Sequence, residues 1–151
     1  MKRPLHAACA LLSALALATG CAAGPGAKSE QLALAVRDYH DALQFGDFQV
    51  IARYLRPAAR ADFLARAYGM EKSLSVLEFT PISSQNGPDG DSAFLVTRVS
   101  WYELPSTVVR TENVFVHWKR TDADTWAIES VEGGPLPVPP PEAADAAGAT
   151  R

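Results

Sequence analysis

The hydrophobic period of this chain changes once, from helical to strand-like. Between Ser29 and Gly69 apolar residues recur every three or four positions, the spacing that gathers them on one side of an α-helix. From Ser73 to Glu132 the chain is instead rich in Val, Thr, Phe and Trp, in runs separated by short turn clusters, which is the pattern of strands. Consecutive strands joined by short connections must pair antiparallel, because a parallel return needs a crossover of a dozen or more residues. Helices followed by a run of strands predict an α+β domain, with N-terminal helices packed on one face of a strongly curved antiparallel sheet.

The helical part divides at its own punctuation. Ser29 can cap a first helix whose stripe is Leu32, Ala35, Val36, Tyr39, Ala42 and Leu43. Gly46 suits the position after its end, and Asp47 can cap a second helix carrying Phe48, Ile51, Ala52 and Leu55. Pro57 stops that helix and can open a third, expected to present Ala61, Leu64, Ala65 and Tyr68 and to end near Gly69. Four strands are expected in "SLSVLEFTPI", "SAFLVTRVSWYEL", "TVVRTENVFVHWKR" and "TWAIESVE". "SSQNGPDGDS" between the first two reads as a turn, with Asn86-Gly87 and Asp89-Gly90 favouring positive φ.

The two ends of the chain lack these periods. Lys2 and Arg3 precede an apolar run from Leu5 to Thr19, interrupted only by His6 and Ser13. This is a positive region followed by an export-signal core, shorter than the ~18 apolar residues of a membrane span. Ala18-Thr19-Gly20-Cys21 resembles a bacterial lipobox, which implies that residues 1–20 are a signal peptide and that Cys21 is acylated as the first mature residue. A two- or three-chain anchor of that kind holds a protein firmly in a membrane, each buried methylene contributing about 0.8 kcal/mol. Ala22, where retained lipoproteins carry Asp, implies sorting to the outer membrane, with the domain on its periplasmic face. Residues 21–28 form the acylated Cys and a short tether. Residues 133–151 hold five of the eleven Pro residues and are expected to be a Pro/Ala-rich disordered tail. The folded domain is thus expected over 29–132.

Removing the leader changes the chemistry available. Lys2, Arg3, His6 and Cys9 go with it, leaving 12 basic against 17 acidic residues and a net charge of −5. An acidic chain lacks the basic footprint of a nucleic-acid binder. With Cys21 acylated there is no thiol nucleophile, thiolate metal site or disulfide.

A second resemblance covers nearly all of the folded region. "YHDALQFGDFQVIARYLRP", followed by a meander ending in "DTWAIESVEG" with Trp126 and Ile128 as a Trp-x-Ile pattern, resembles the nuclear transport factor 2-like superfamily. That resemblance implies a long first helix, a Gly-Asp break, two further helices and a bent sheet forming a cone. Enzymes of the superfamily do proton chemistry with a pocket Asp or His and a Tyr; other members are interaction scaffolds. Cystatin-like and other helix-on-sheet domains share the same periods.

Strand alternation nominates polar residues for such a cone, without saying which face is concave. Arg110 and Glu112 share a face with Val114, Val116 and Trp118; Arg98 and Ser100 share one with Phe94, Val96 and Tyr102; Trp126 and Ile128 share one with Ser130. The candidate pocket set is Tyr39, Arg98, Tyr102, Arg110, Glu112, His117 and Trp126. Turned inward, its charged members would suit a small polar or acidic ligand, and Glu112 would need a raised pKa to act as a base. Turned outward, they are cross-strand ion pairs worth little. His40 lies off the first helix's stripe and is expected to be exposed. His40 and His117 are too far apart for a metal-ligand spacing, and no cofactor or metal is expected. Arg53, Arg56, Arg60 and Arg66 would form a basic stripe if their helix ran on past Pro57.

The expected function is a membrane-anchored periplasmic lipoprotein acting as a non-catalytic binding or assembly module. Its partners would be the membrane, through the lipid, and a protein of the cell envelope, with a homodimer through the sheet also expected. Two alternatives stand beside it: a small-molecule isomerase or dehydratase using the cone pocket, and a carrier of an apolar ligand.

Overall fold

A computed structural model describes residues 25–122 and 125–138 of the chain. The expected leader, the Cys21 anchor and the tail beyond Val138 lie outside the described residues. Three helices, α1 (Pro25–Phe45), α2 (Phe48–Tyr54) and α3 (Pro57–Ala67), are followed by a 3-10 turn (Met70–Lys72). Four strands come next: β1 (Leu74–Asn86), β2 (Ser92–Glu103), β3 (Arg110–Arg120) and β4 (Trp126–Glu132). They form one sheet in the order β1-β2-β3-β4, antiparallel throughout. This is the expected α+β architecture.

The helix punctuation acts as its chemistry requires. Gly46 takes φ 70°, in the left-handed region that favours glycine. The Asp47 side chain accepts from the Val50 N–H at 3.1 Å and so caps α2. Pro57 opens α3, where a missing N–H costs nothing. α1 starts at Pro25 rather than Ser29, since a Pro is equally at home in a first turn. The α3 stripe is rotated from the expected one. Ala59, Phe63 and Ala67 are buried, Leu64 is half-buried, and Tyr68 is 83% exposed. Both stripes satisfy helical spacing, and the one holding Phe63 wins because the ring has far more apolar area to bury than any alanine. The basic stripe does not form. Arg60 turns back to donate to the Leu55 and Arg53 carbonyls, both at 3.0 Å, at the C-terminal end of α2, where cations are favoured. Arg66 pairs with Asp62 at 2.9 Å.

The sheet curls at its irregularities. β1 runs on to Asn86, through residues expected to be a turn, and carries bulges at Leu77 and Ile82. Bulges add local twist and bend a strand. The connecting turn is therefore only residues 87–91, and of its two glycines Gly90 alone takes positive φ. Pro81 is tolerated because β1 is an edge strand with no partner on one side. β3 begins at Arg110, three residues later than its apolar run suggested.

Ala93, Thr97, Val99 and Trp101 of β2, with Val114, Val116 and Trp118 of β3, face the helices. Tyr39 and Tyr54 meet Trp118 edge-on, with centroids 5.8 and 5.6 Å away, the arrangement that aromatic quadrupoles prefer. Trp118 is 1% exposed and sits at the centre of the core. The described start of the tail also packs: Leu136 and Val138 lie half-buried against this core.

Candidate functional site

A wide hollow among the described residues lies on the flank of α1, between it and the β1–β2 hairpin. Leu32, Val36 and His40 follow one another at four-residue spacing, so they form a row along the helix. Leu77, Phe79 and Leu95 form the opposing wall. Between the walls runs an open groove of about 670 Å3, within the range of ligand sites. Leu77 is half exposed because it is a bulge residue. Arg37, Asp41, Gln44 and Glu78 supply the polar rim.

His40 is the titratable group set into this groove. Its ring stacks on Phe79 at 4.9 Å and 21°. Burial holds its pKa below the usual histidine value, opposed by the Asp41 charge. Desolvation disfavours a charged imidazolium, so His40 is neutral near pH 7.

Two further hollows meet at Trp126. One, of about 630 Å3, lies on the opposite flank of α1 between Asp38, Tyr54 and Trp126. There the Tyr54 hydroxyl donates to the Asp38 carboxylate at 2.6 Å. Burial first, then that hydrogen bond, push the Tyr54 pKa up to about 12. The other, of about 330 Å3, is bounded by Lys28, Leu32, Asn86, Asp89 and Trp126. Lys28 Nζ donates to the Asp91 carboxylate at 2.8 Å and to the Asp89 carbonyl at 3.2 Å. Arg120 reaches the same Asp91 oxygen at 3.3 Å. The Lys28 hydrogen bond, more than the Arg120 one, holds the Asp91 carboxyl below its ordinary range.

The residues nominated from the sequence are dispersed. Tyr39 is buried in the core, where desolvation raises its pKa above the ordinary tyrosine value. Arg98 and Tyr102 lie on the outer face of the sheet, and Arg98 donates to Asn113 at 3.4 Å. Ser100 and Thr111 share a 2.9 Å hydrogen bond on that same face. Arg110 and Glu112 alternate with Thr111 and Asn113, so they project from the other side. The four polar side chains therefore do not converge. Glu112 accepts from the Gly134 N–H at 3.2 Å and ties down the start of the tail, while Arg110 borders the β2–β3 loop. His117 pairs with Glu129 at 2.8 Å and stacks on Phe94 at 4.0 Å, on the outer face. Trp126 borders the second and third hollows, Arg110 lines a smaller one at the β2–β3 loop, and none of the set lines the α1 groove. Ser130 does not share a face with Ile128, because a bulge at Glu129 shifts the alternation: Ile128 pairs with Trp118, but Ser130 with His117.

His40, expected to be exposed, is instead half-buried in the groove. The four-residue row from Leu32 through Val36 was its signal. Among the described residues no cluster of His, Cys, Asp and Glu could hold a metal, and no helix is long and apolar enough to cross a membrane.

No protein-family model matches the chain, and no curated protein sequence matches it significantly. Solved structures do. The fold is nuclear transport factor 2-like. A candidate dehydratase of the NTF2-like family from Streptomyces avermitilis superposes with a TM-score of 0.54 at 17% identity, over 76% of this chain and 99% of its own. An NTF2-like protein from Cytophaga hutchinsonii gives 0.50 at 11% identity, over 66% and 91%. A SEC-C motif-containing protein from Rhodopseudomonas palustris gives 0.55 at 13% identity, over 72% and 89%. At these identities the likeness carries the fold alone.

Proposed function

We propose that this protein is a lipid-anchored protein on the periplasmic face of the bacterial outer membrane, and that its cone-shaped domain is a non-catalytic binding module. The anchor reading rests on Ala18-Thr19-Gly20-Cys21 behind a charged, apolar leader. The binding reading rests on one observation: the hollow between α1 and the inner face of β1 and β2 is open, with an apolar wall and a polar rim. Trp118, Phe63, Ile51 and Tyr39 are buried in the core beside it. Its carboxylates, Asp41 and Glu78, stand exposed at the rim. The row of Leu32, Val36, Leu77, Phe79 and Leu95 also supports the apolar-carrier reading, which shares this groove with the protein-partner reading.

Two measurements test the proposal. Cys21→Ala should release the protein from the membrane fraction, and unchanged fractionation would remove the anchor. A photocrosslinking residue placed at Ala33, in the groove wall, should yield a reproducible adduct with an envelope protein or an apolar molecule. Adducts spread over unrelated abundant species would count against the groove as a binding site.

A further inference from the structure

His40 is the one polar side chain set into the apolar wall of the α1 groove. Every other polar residue along the groove is exposed, whereas His40 is half-buried. One face of its ring is taken by Phe79, which leaves the two ring nitrogens. Neither is hydrogen-bonded to any group among the described residues, and neither is sealed off from solvent. A neutral imidazole carries one N–H donor and one acceptor nitrogen, so both functions are open to whatever occupies the groove. Solvent can serve them. An apolar occupant that displaced the solvent would have to supply a partner or leave the nitrogens unpaired, which costs free energy.

We propose that the groove takes an uncharged apolar molecule carrying a hydroxyl, and that His40 selects it by pairing with that hydroxyl. The apolar body lies along Leu32, Val36, Phe79 and Leu95. This names the ligand class of the groove and rests on the binding-module reading. A hydroxyl both donates and accepts, so it suits either tautomer of the ring. The absence of charge follows from the neighbours. The charged groups around His40 stand at the rim, Arg37 and Asp41 on α1 and Glu78 on β1, and β2 contributes only Leu95. One cation against two carboxylates repels a carboxylate head. An ammonium head is drawn to those hydrated carboxylates and away from the apolar wall. Either charge would have to shed water to reach His40, at a greater cost than a hydroxyl.

The test is equilibrium dialysis, near neutral pH, of the full-length chain carrying Cys21→Ala against naphthol, methylnaphthalene, naphthoate and naphthylmethylamine, which share one ring system. Naphthol should bind one to one and more tightly than either charged analogue. His40→Phe keeps a ring to stack on Phe79 and removes both nitrogens. It should weaken naphthol about five-fold, one neutral hydrogen bond's worth, and leave methylnaphthalene unchanged. His40→Gln, which keeps a donor and an acceptor, should retain most of the naphthol affinity. His40→Leu should repeat the selective loss and serves if His40→Phe melts early. An equal response of naphthol and methylnaphthalene to the loss of the nitrogens would overturn the His40 assignment, as would a charged analogue that binds as tightly as naphthol. If naphthol fails to bind at all, the proposal is lost, while the Ala33 crosslink independently decides the binding-module reading.

Discussion

His40 shows how one helical turn can change a residue's role. It follows a core tyrosine, so its side chain leaves α1 about 100° around from the core stripe. That direction is solvent on an isolated helix. Here it is the groove wall, because Phe79 of β1 stands opposite. Burial lowers the folded-state pKa of His40, so the unfolded chain binds this proton more readily than the folded one. Stability is then fully present above the unfolded value of about 6.5 and falls as pH drops below it. NMR titration should place the His40 midpoint below 6.5. His40→Gln should flatten the dependence of the urea midpoint on pH between about 5 and 6.5. A midpoint above 6.5 would mean that the Asp41 charge, and not burial, governs the ring.

Among the elements, α2 depends most on a single side chain. It has seven residues, too few to persist by propensity alone. Asp47 caps its first turn, Arg60 bonds the carbonyls at its end, and Phe48, Ile51 and Ala52 bury its inner side. Asp47→Ala should therefore cost about 1 kcal/mol, read as a lower urea midpoint at unchanged m-value. Asp47→Ser should recover most of it. The starts of α2 and α3 were legible in the sequence because capping is local: Asp47 and Pro57 act on atoms within three residues, whereas α1 begins at Pro25, ahead of the expected Ser29 cap. The inward face of α3 was less legible. Its stripes are spelled mostly in alanine, and only contact with the rest of the core selects the side bearing Phe63. The bulges at Leu77, Ile82 and Glu129 have no local residue signature here, and each moved side chains to a face that simple alternation would not assign.

For the whole molecule, the start of the tail belongs to the packed domain. Leu136 and Val138 cover core side chains, and Glu112 holds the Gly134 N–H. Ending the chain after Glu132 should lower stability by about 1–2 kcal/mol, since the two half-buried side chains lose part of their burial. Thermal melts of the truncated and full chains would show it as a drop of several degrees, and identical melting would mean that the tail merely rests on the surface. Composition argued for a solvated tail because Pro-rich segments carry few large apolar residues. Two such residues suffice when a core surface lies within reach, and chain composition does not report that distance.

By itself the sequence determined what is local. It set the period of each segment, the starts of α2 and α3, and the antiparallel order imposed by short connections. These depend on residues close together in the chain. Only the tertiary structure decided where the concavity lies. The nominated polar residues were chosen by strand parity, which says which side chains share a face but not what covers it. Trp118, Phe63 and Tyr39 pack into the core, α1 turns its Leu32–Val36–His40 row toward β1, and Lys28 meets Asp91 across more than sixty residues of chain. Such meetings are set by how helices and a bulged, curling sheet dock to bury the most apolar surface, a property of the assembled core rather than of any one segment.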